Sequence, residues 1–294
     1  MKELKAIFGQ AFIYEGEEAA SPQDFYWFRS SSGRSFGIRK SGITDKELQL
    51  LKLQYPVLDQ PIRPLSDSQK AWMALLYEGK TQLPIDLKDA LTQLIWIRFK
   101  SSLTDQESFE EAISGYFPGH VTILWPDPQL AVLVTRLNPS ELASGEELIE
   151  QINSDFLVSA RLLFGTPFKH HQIAPTLFQK EKKAFETVQQ ILPDKYVFHY
   201  TEVVPYLLKE EPVTSLTIFF TTLTAYLKED PDSRLQLEAL FSHDLNLSTT
   251  AKALFMHRNS LHYRLDKFKE NTGLDPRLFR DAFFIRLGLL NELS

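Results

Sequence analysis

Residues 247–270, LSTTAKALFMHRNSLHYRLDKFKE, decide how this chain is read. Two short helical patterns flank a tight turn at Phe255-Met256-His257. The first pattern is slim: Ala251 falls where two helices must approach closely, and Leu254 closes the inner face. Ser248 is placed to cap its start, because a serine oxygen can accept from a backbone N–H that has no helical partner. At about 100° per residue, Leu261, Leu265 and Phe268 of the second helix share one narrow stripe, which must pack inward. Asn259 and Tyr263 centre the opposite face, with Ser260 and His262 at its edges and Arg258 and Arg264 on its flanks. Upstream, Arg234–Phe241 reads as a leading helix with Leu237, Leu240 and Phe241 pointing inward, and His243-Asp244-Leu245-Asn246 as its exit loop. This is the layout of a helix-turn-helix, which places its second helix in the major groove of double-stranded DNA.

The residue types on the outward face suit that task. An asparagine such as Asn259 can pair bidentately with adenine, and Arg258 near the helix start can reach a guanine edge or a phosphate. Lys252, Lys267 and Lys269 suit the DNA backbone. With Thr249, Thr250, His257, Ser260, His262, Tyr263 and Arg264, the first two of these lysines complete the candidate DNA-binding set. Each residue taken singly also fits an ordinary solvated helix face. The alternative is therefore a protein-interaction module whose C-terminal helices bind a partner protein.

Charge is distributed unevenly. The chain carries 32 Lys+Arg against 38 Asp+Glu, a net of −6. Residues 232–294 hold 9 basic and 8 acidic residues, or +1, which leaves −7 for residues 1–231. Within 248–270 the count is 5 to 2, or +3. Such a small excess allows few phosphate contacts per copy, so a homodimer or larger assembly is expected to bind.

The stretch NLSTTAKALFMHRNSLHYRL at 246–265 continues as DKFKENTGLDP and the apolar helix FRDAFFIRLGLL. Over about 60 residues, 233–291, it resembles the C-terminal helix-turn-helix of the PucR/CdaR family of bacterial regulators. The resemblance implies a transcription regulator that responds to a small-molecule effector. Phe255 stands where many helix-turn-helix units have glycine, and this family often carries a bulky residue there. Residues of about 90–205 resemble the family's GGDEF-like central domain, with GTPFKHHQIAPTLFQKEKKAF, 165–185, at its Gly-Pro-loop-helix segment.

The expected fold class is α+β and multidomain. Residues 1–65 form a small β-containing segment, with a hairpin of Phe25–Arg29 and Ser35–Arg39 around Ser31-Ser32-Gly33-Arg34. A Pro-containing linker, QYPVLDQPIRPLS, runs to Ser66. Residues 66–205 form the GGDEF-like α/β regulatory domain. Its helical spacings are Asp67–Tyr77, Asp86–Phe99 (where IWIRF also fits a strand), Asp105–Phe117, Glu146–Phe156 and Thr176–Leu192. Its strands are His120–Trp125, Leu130–Leu137, Val158–Phe164 and Tyr196–Tyr200. The order β-α-β-β-α-β-α-β predicts an antiparallel-rich sheet with helices packed on it. A connecting helix, Thr214–Glu229, occupies 206–231, and 232–294 is the DNA-binding domain.

Several chemistries find no motif. The chain has no cysteine, which excludes disulfides and thiolate metal sites. It lacks a Gly-Gly-Asp/Glu-Glu-Phe sequence, so a nucleotide cyclase would have no metal-binding carboxylates. Walker A, GxGxxG, HExxH and GxSxG patterns are absent. His170-His171 has no nearby carboxylate to complete a metal set. Glu17-Glu18, Glu110-Glu111, Glu146-Glu147 and Glu210-Glu211 are adjacent pairs that do not face one another on a helix. Trp72, Trp96 and Trp125 read as core aromatics. No catalytic residue, metal or cofactor is expected. MKELKAIFGQAF lacks a signal-peptide core, and the longest uncharged run, Pro212–Leu227, is too short and too rich in threonine for a membrane span. A soluble, cytoplasmic protein without membrane partners is expected.

Overall fold

The computed structural model describes residues 2–14, 22–30, 35–58, 65–79, 90–103, 105–117, 119, 121–137, 145–169 and 171–291. The mixed α+β composition agrees with the expected class. The N-terminal unit comprises α1 (Lys2–Phe8), β1 (Phe12–Tyr14), β2 (Phe25–Arg29), β3 (Ser35–Arg39), α2 (Asp45–Gln54) and β4 (Val57–Leu58). Its antiparallel sheet has the order β1-β3-β2-β4. Alternation turns Phe28, Phe36 and Ile38 onto Leu48 and Leu51 of α2. The hairpin strands coincide with those read from sequence, while the turn at 31–34 lies outside the described residues. Within the expected linker, Gln54 ends α2 and residues 57–58 are strand: Val57 pairs with Phe28 and Leu58 with Trp27. Its residues 59–64 lie outside the described residues.

The central unit follows as α3 (Asp67–Glu78), β5 (Thr92–Phe99), α4 (Gln106–Tyr116), β6 (Val121–Asp127), β7 (Leu130–Arg136), α5 (Gly145–Phe156), β8 (Ala160–Phe164), α6 (Ala174–Ile191) and β9 (Val197–His199). The sheet order is β6-β7-β5-β8-β9, antiparallel except for the β8–β9 pair. Of the two readings of 86–99, the strand at IWIRF is the one found and the helix is corrected: residues 92–99 are the middle strand of the sheet, and 86–89 lie outside the described residues. A strand covered on both faces is apolar throughout, so its period cannot be told from a buried helix. Leu94 and Trp96 face the layer with Trp72 and Phe178, whereas Ile95 and Ile97 face Phe109 and Leu148.

The C-terminal helices are α7 (Tyr200–Leu207), a 3₁₀ segment (Val213–Phe220), α8 (Thr221–Glu229), α9 (Pro231–Ser242), α10 (Leu247–Ala253), α11 (Arg258–Thr272) and α12 (Phe279–Asn291). Tyr200, read as strand, opens α7. The single helix expected over 214–229 is two segments: the first winds as 3₁₀, which brings Leu216 and Phe219 onto one buried edge. One hydrophobic cluster runs from Trp96 and Phe185 through Phe220 to Phe268 and Phe284. The expected break at 205/206 therefore does not separate two cores, and the connecting stretch is part of the packing.

A loop at 165–168 joins the sheet to the helices. Phe168 exchanges backbone hydrogen bonds with Thr92 at 2.8 Å each, and Gly165 N donates to Leu94 O at 2.8 Å. On the far side, Thr222 Oγ1 of α8 donates to Pro167 O at 2.6 Å. Gly273 ends α11 with φ +75, and a Cβ there would stand 2.9 Å from Pro167 Cγ and 2.7 Å from Leu137 Cδ2. Left-handed backbone and close approach together require glycine at this cap.

Candidate nucleic-acid interface

The three helices α9, α10 and α11 enclose a small core of Leu240, Ala251, Leu261 and Leu265. The packing stripe is as read: Leu261, Leu265 and Phe268 are all buried. Ala251 is only 3% exposed at the α10–α11 contact. A leucine there would have to push the helices apart. Ala251→Leu is expected to destabilise the protein by about 1–3 kcal/mol, seen as a lower melting temperature of the full chain. An unchanged melting temperature would refute the close approach.

The start of α10 differs from expectation. Asn246, not Ser248, is its N-cap: Asn246 Oδ1 accepts from Ser248 N at 3.0 Å and Thr249 N at 3.2 Å. The helix begins one residue before Ser248, which leaves serine inside the first turn. Thr250 is removed from the candidate DNA set. Its side chain is wholly buried and Oγ1 donates to Asn246 O at 2.7 Å. Thr249 and Lys252 remain exposed.

The turn carries Phe255 at φ +52, and the residue is 98% exposed. A left-handed residue is needed to reverse the chain here, and phenylalanine holds a conformation that glycine adopts more readily. His257 caps α11, its Nδ1 accepting from Asn259 N at 3.3 Å. It thus organises the helix start as well as lying exposed beside it.

Arg258, Asn259, Ser260, His262, Tyr263, Arg264 and Lys267 are all exposed along α11. One flank of this face is braced. His262 Nδ1 lies 2.9 Å from Asp266 Oδ2, and Arg277 Nη1 lies 2.8 Å from Asp266 Oδ1. Arg277 Nε also donates to Asp275 Oδ1 at 2.7 Å. Burial raises the Asp266 pKa, but hydrogen bonds from Arg277 and His262 outweigh it and hold the carboxyl below its usual range. The other flank is an open groove of about 890 Å³. Asn259, Ser260, Tyr263, Arg264 and Lys267 line one wall, and Glu229, Asp230 and Asp232 from the α8–α9 junction line the other. Arg264 Nη1 lies 3.7 Å from Asp232 Oδ2 across it.

Sequence reasoning passed over Arg277 and this acidic wall. The first lies seven residues beyond the basic stretch of 248–270, in the Asp275-Pro276-Arg277 segment. The acidic wall, Glu229-Asp230-Pro231-Asp232, lies where the expected connecting helix ends.

The paired carboxylates resolve into local roles. Glu110 Oε1 accepts from Trp125 Nε1 at 2.8 Å, and Glu211 takes hydrogen bonds from Lys183, Lys180 and Ser215, which lower its pKa to about 2. His171 stands against the rings of Trp72 and Phe168. His170 and Glu17-Glu18 lie outside the described residues.

A slim helix, a tight turn and a second helix with a packed inner stripe and polar outer face define a helix-turn-helix DNA-binding unit. The chain is by class a DNA-binding transcriptional regulator. Residues 234–290 match the PucR C-terminal helix-turn-helix domain. Over 56 residues, 19% of this chain and 14% of the relative, it is 45% identical to the Carbohydrate diacid regulator of Escherichia coli (strain K12). Across its whole length, and all of the relative's, it is 26% identical to the Uncharacterized protein YxkF of Bacillus subtilis (strain 168). Among solved structures, it is similar to the Regulator of Polyketide Synthase Expression from Bifidobacterium adolescentis, at 17% identity and a TM-score of 0.36. That alignment covers 76% of this chain and 91% of the other. Among the described residues, no helix is long and apolar enough to cross a membrane.

Proposed function

We propose that α11 reads double-stranded DNA through Arg258, Asn259, Ser260, His262 and Tyr263, while Thr249, Lys252, Arg264 and Lys267 hold phosphates. His257 fixes the start of the reading helix. The observation that carries this assignment is the coincidence of a fully buried stripe with an exposed polar face on the second helix of the unit. The protein acts in the cytoplasm as a homodimer or larger assembly, since +3 on residues 248–270 is a small charge for one copy to bind with. Half-sites about one helical turn apart follow from that symmetry. The central unit is the GGDEF-like regulatory domain. It is read as non-enzymatic, and a small-molecule effector bound there shifts the spacing of paired recognition helices. The continuous core between sheet and helices supports such coupling.

The test is electrophoretic shift of the purified chain on its own upstream region, with and without candidate metabolites. Asn259→Ala and Arg258→Ala are each expected to weaken specific binding by about tenfold or more with the fold intact. Equal binding by wild type and both variants would rule out the face assignment. Absence of any shift at low salt would count against DNA binding and favour a protein partner for these helices.

A further inference from the structure

A recognition helix in the major groove lies between two phosphate ridges, so both of its flanks meet negative charge. The two flanks of α11 are prepared differently. On one, the Asp266 carboxylate is neutralised by Arg277 at 2.8 Å and further bonded to His262. On the other, three carboxylates, Glu229, Asp230 and Asp232, face Arg264 and Lys267 across the groove. Asp230 is bonded to the neutral hydroxyls of Ser233 at 2.9 Å and Tyr226 at 3.4 Å, so these contacts leave its charge in place. Lys169 lies in an adjoining recess that Glu229 also lines. Asp232 meanwhile occupies the guanidinium of Arg264, at 3.7 Å, where a phosphate oxygen would otherwise bind.

Resting on the DNA-binding reading above, we propose that the Glu229–Asp230–Asp232 lip is an electrostatic brake on the recognition helix. It holds Arg264 and repels the phosphate ridge on its flank. Non-specific duplex, which is bound almost wholly through phosphates, bears the full penalty. A cognate site bears the same penalty but keeps its base contacts, so the lip sets a threshold that phosphate contacts alone do not reach. Glu229 and Asp232 are exposed and outside the core, so neutralising them leaves the packing undisturbed.

The test compares wild type with the Glu229→Gln/Asp232→Asn double variant, as full chains, on two duplexes of equal length. One duplex is the chain's own upstream region and the other is its scrambled sequence. A second double variant, Glu238→Gln/Glu150→Gln, removes the same charge from exposed positions outside the groove. The lip variant is expected to bind scrambled duplex about three- to tenfold more tightly at low salt. Its log–log salt dependence should steepen by about one to two, and its binding to the upstream region should tighten by a similar factor. Binding by the lip variant where wild type shows none would support the brake equally. Unchanged or weaker binding, or an equal gain in the control variant, would overturn it. Failure of every variant to bind either duplex would sink the DNA-binding reading together with the brake, whereas normal wild-type binding with an unresponsive lip variant sinks the brake alone.

Discussion

Gly165→Ala is expected to cost about 3 kcal/mol or more of stability, at the upper end of overpacking penalties, in urea unfolding of the full chain. A Cβ at this position would stand 2.3 Å from Glu181 Oε2 and 2.7 Å from its Cδ. Glu181 cannot swing aside cheaply. Its side chain is buried in α6, where its carboxylate accepts from Trp96 Nε1 at 2.8 Å and from the backbone N–H of Thr166. Moving it would leave those buried donors without an acceptor. The loop that would shift also carries Pro167, the seat of Gly273 at the end of the recognition helix. A second expected consequence is therefore weaker DNA binding without any change on the reading face. A variant as stable as wild type would show that the loop has slack that these contacts do not suggest.

Glu181 itself should make stability pH-dependent in an unusual direction. Burial raises its carboxyl from 4.5 to about 7, against the lowering effect of hydrogen bonds from Thr166 and Trp96. Between those values the folded protein binds the proton more tightly than the unfolded chain does, so stability falls as pH rises. The contribution is fully present below about 4.5 and is lost as pH passes about 7. At about 1.4 kcal/mol per unit, the whole span is on the order of 3 kcal/mol. Glu181→Gln removes the titrating group, so its stability should fall less steeply than wild type between pH 5 and 7.5. Parallel slopes for the two proteins would refute the assignment. Other groups, including Asp281, whose carboxyl burial also raises, titrate in both proteins and drop out of the comparison.

The legible parts of the fold share a physical property: their pattern is set by local geometry. The β2–β3 and β6–β7 pairs are legible from the turn residues between them, Ser31-Ser32-Gly33-Arg34 and Pro128-Gln129, whereas α5 and α6 each expose one face, so apolar residues recur at a readable period. The Leu261–Leu265–Phe268 stripe is legible for the same reason. β5 is ambiguous between helix and strand in the sequence because both of its faces are buried. The helix expected over 214–229 was split because buried Leu216 and Phe219 sit three apart, a spacing shared by α and 3₁₀ windings.

The candidate site divides along the same line. Sequence alone determined that 247–270 is a helix-turn-helix, which residues of α11 face outward, and that its basic charge is modest. These follow from a 100° step and a count of side chains. Tertiary structure decided that Asn246 caps α10, that Thr250 is interior, that Arg277 braces one flank and that an acidic lip stands along the other. Arg277 acts on His262 and Asp266 from beyond the end of α11, and Asp232 reaches Arg264 from 32 positions away. Such contacts depend on how helices are brought together by a shared core, and no periodicity along the chain encodes them.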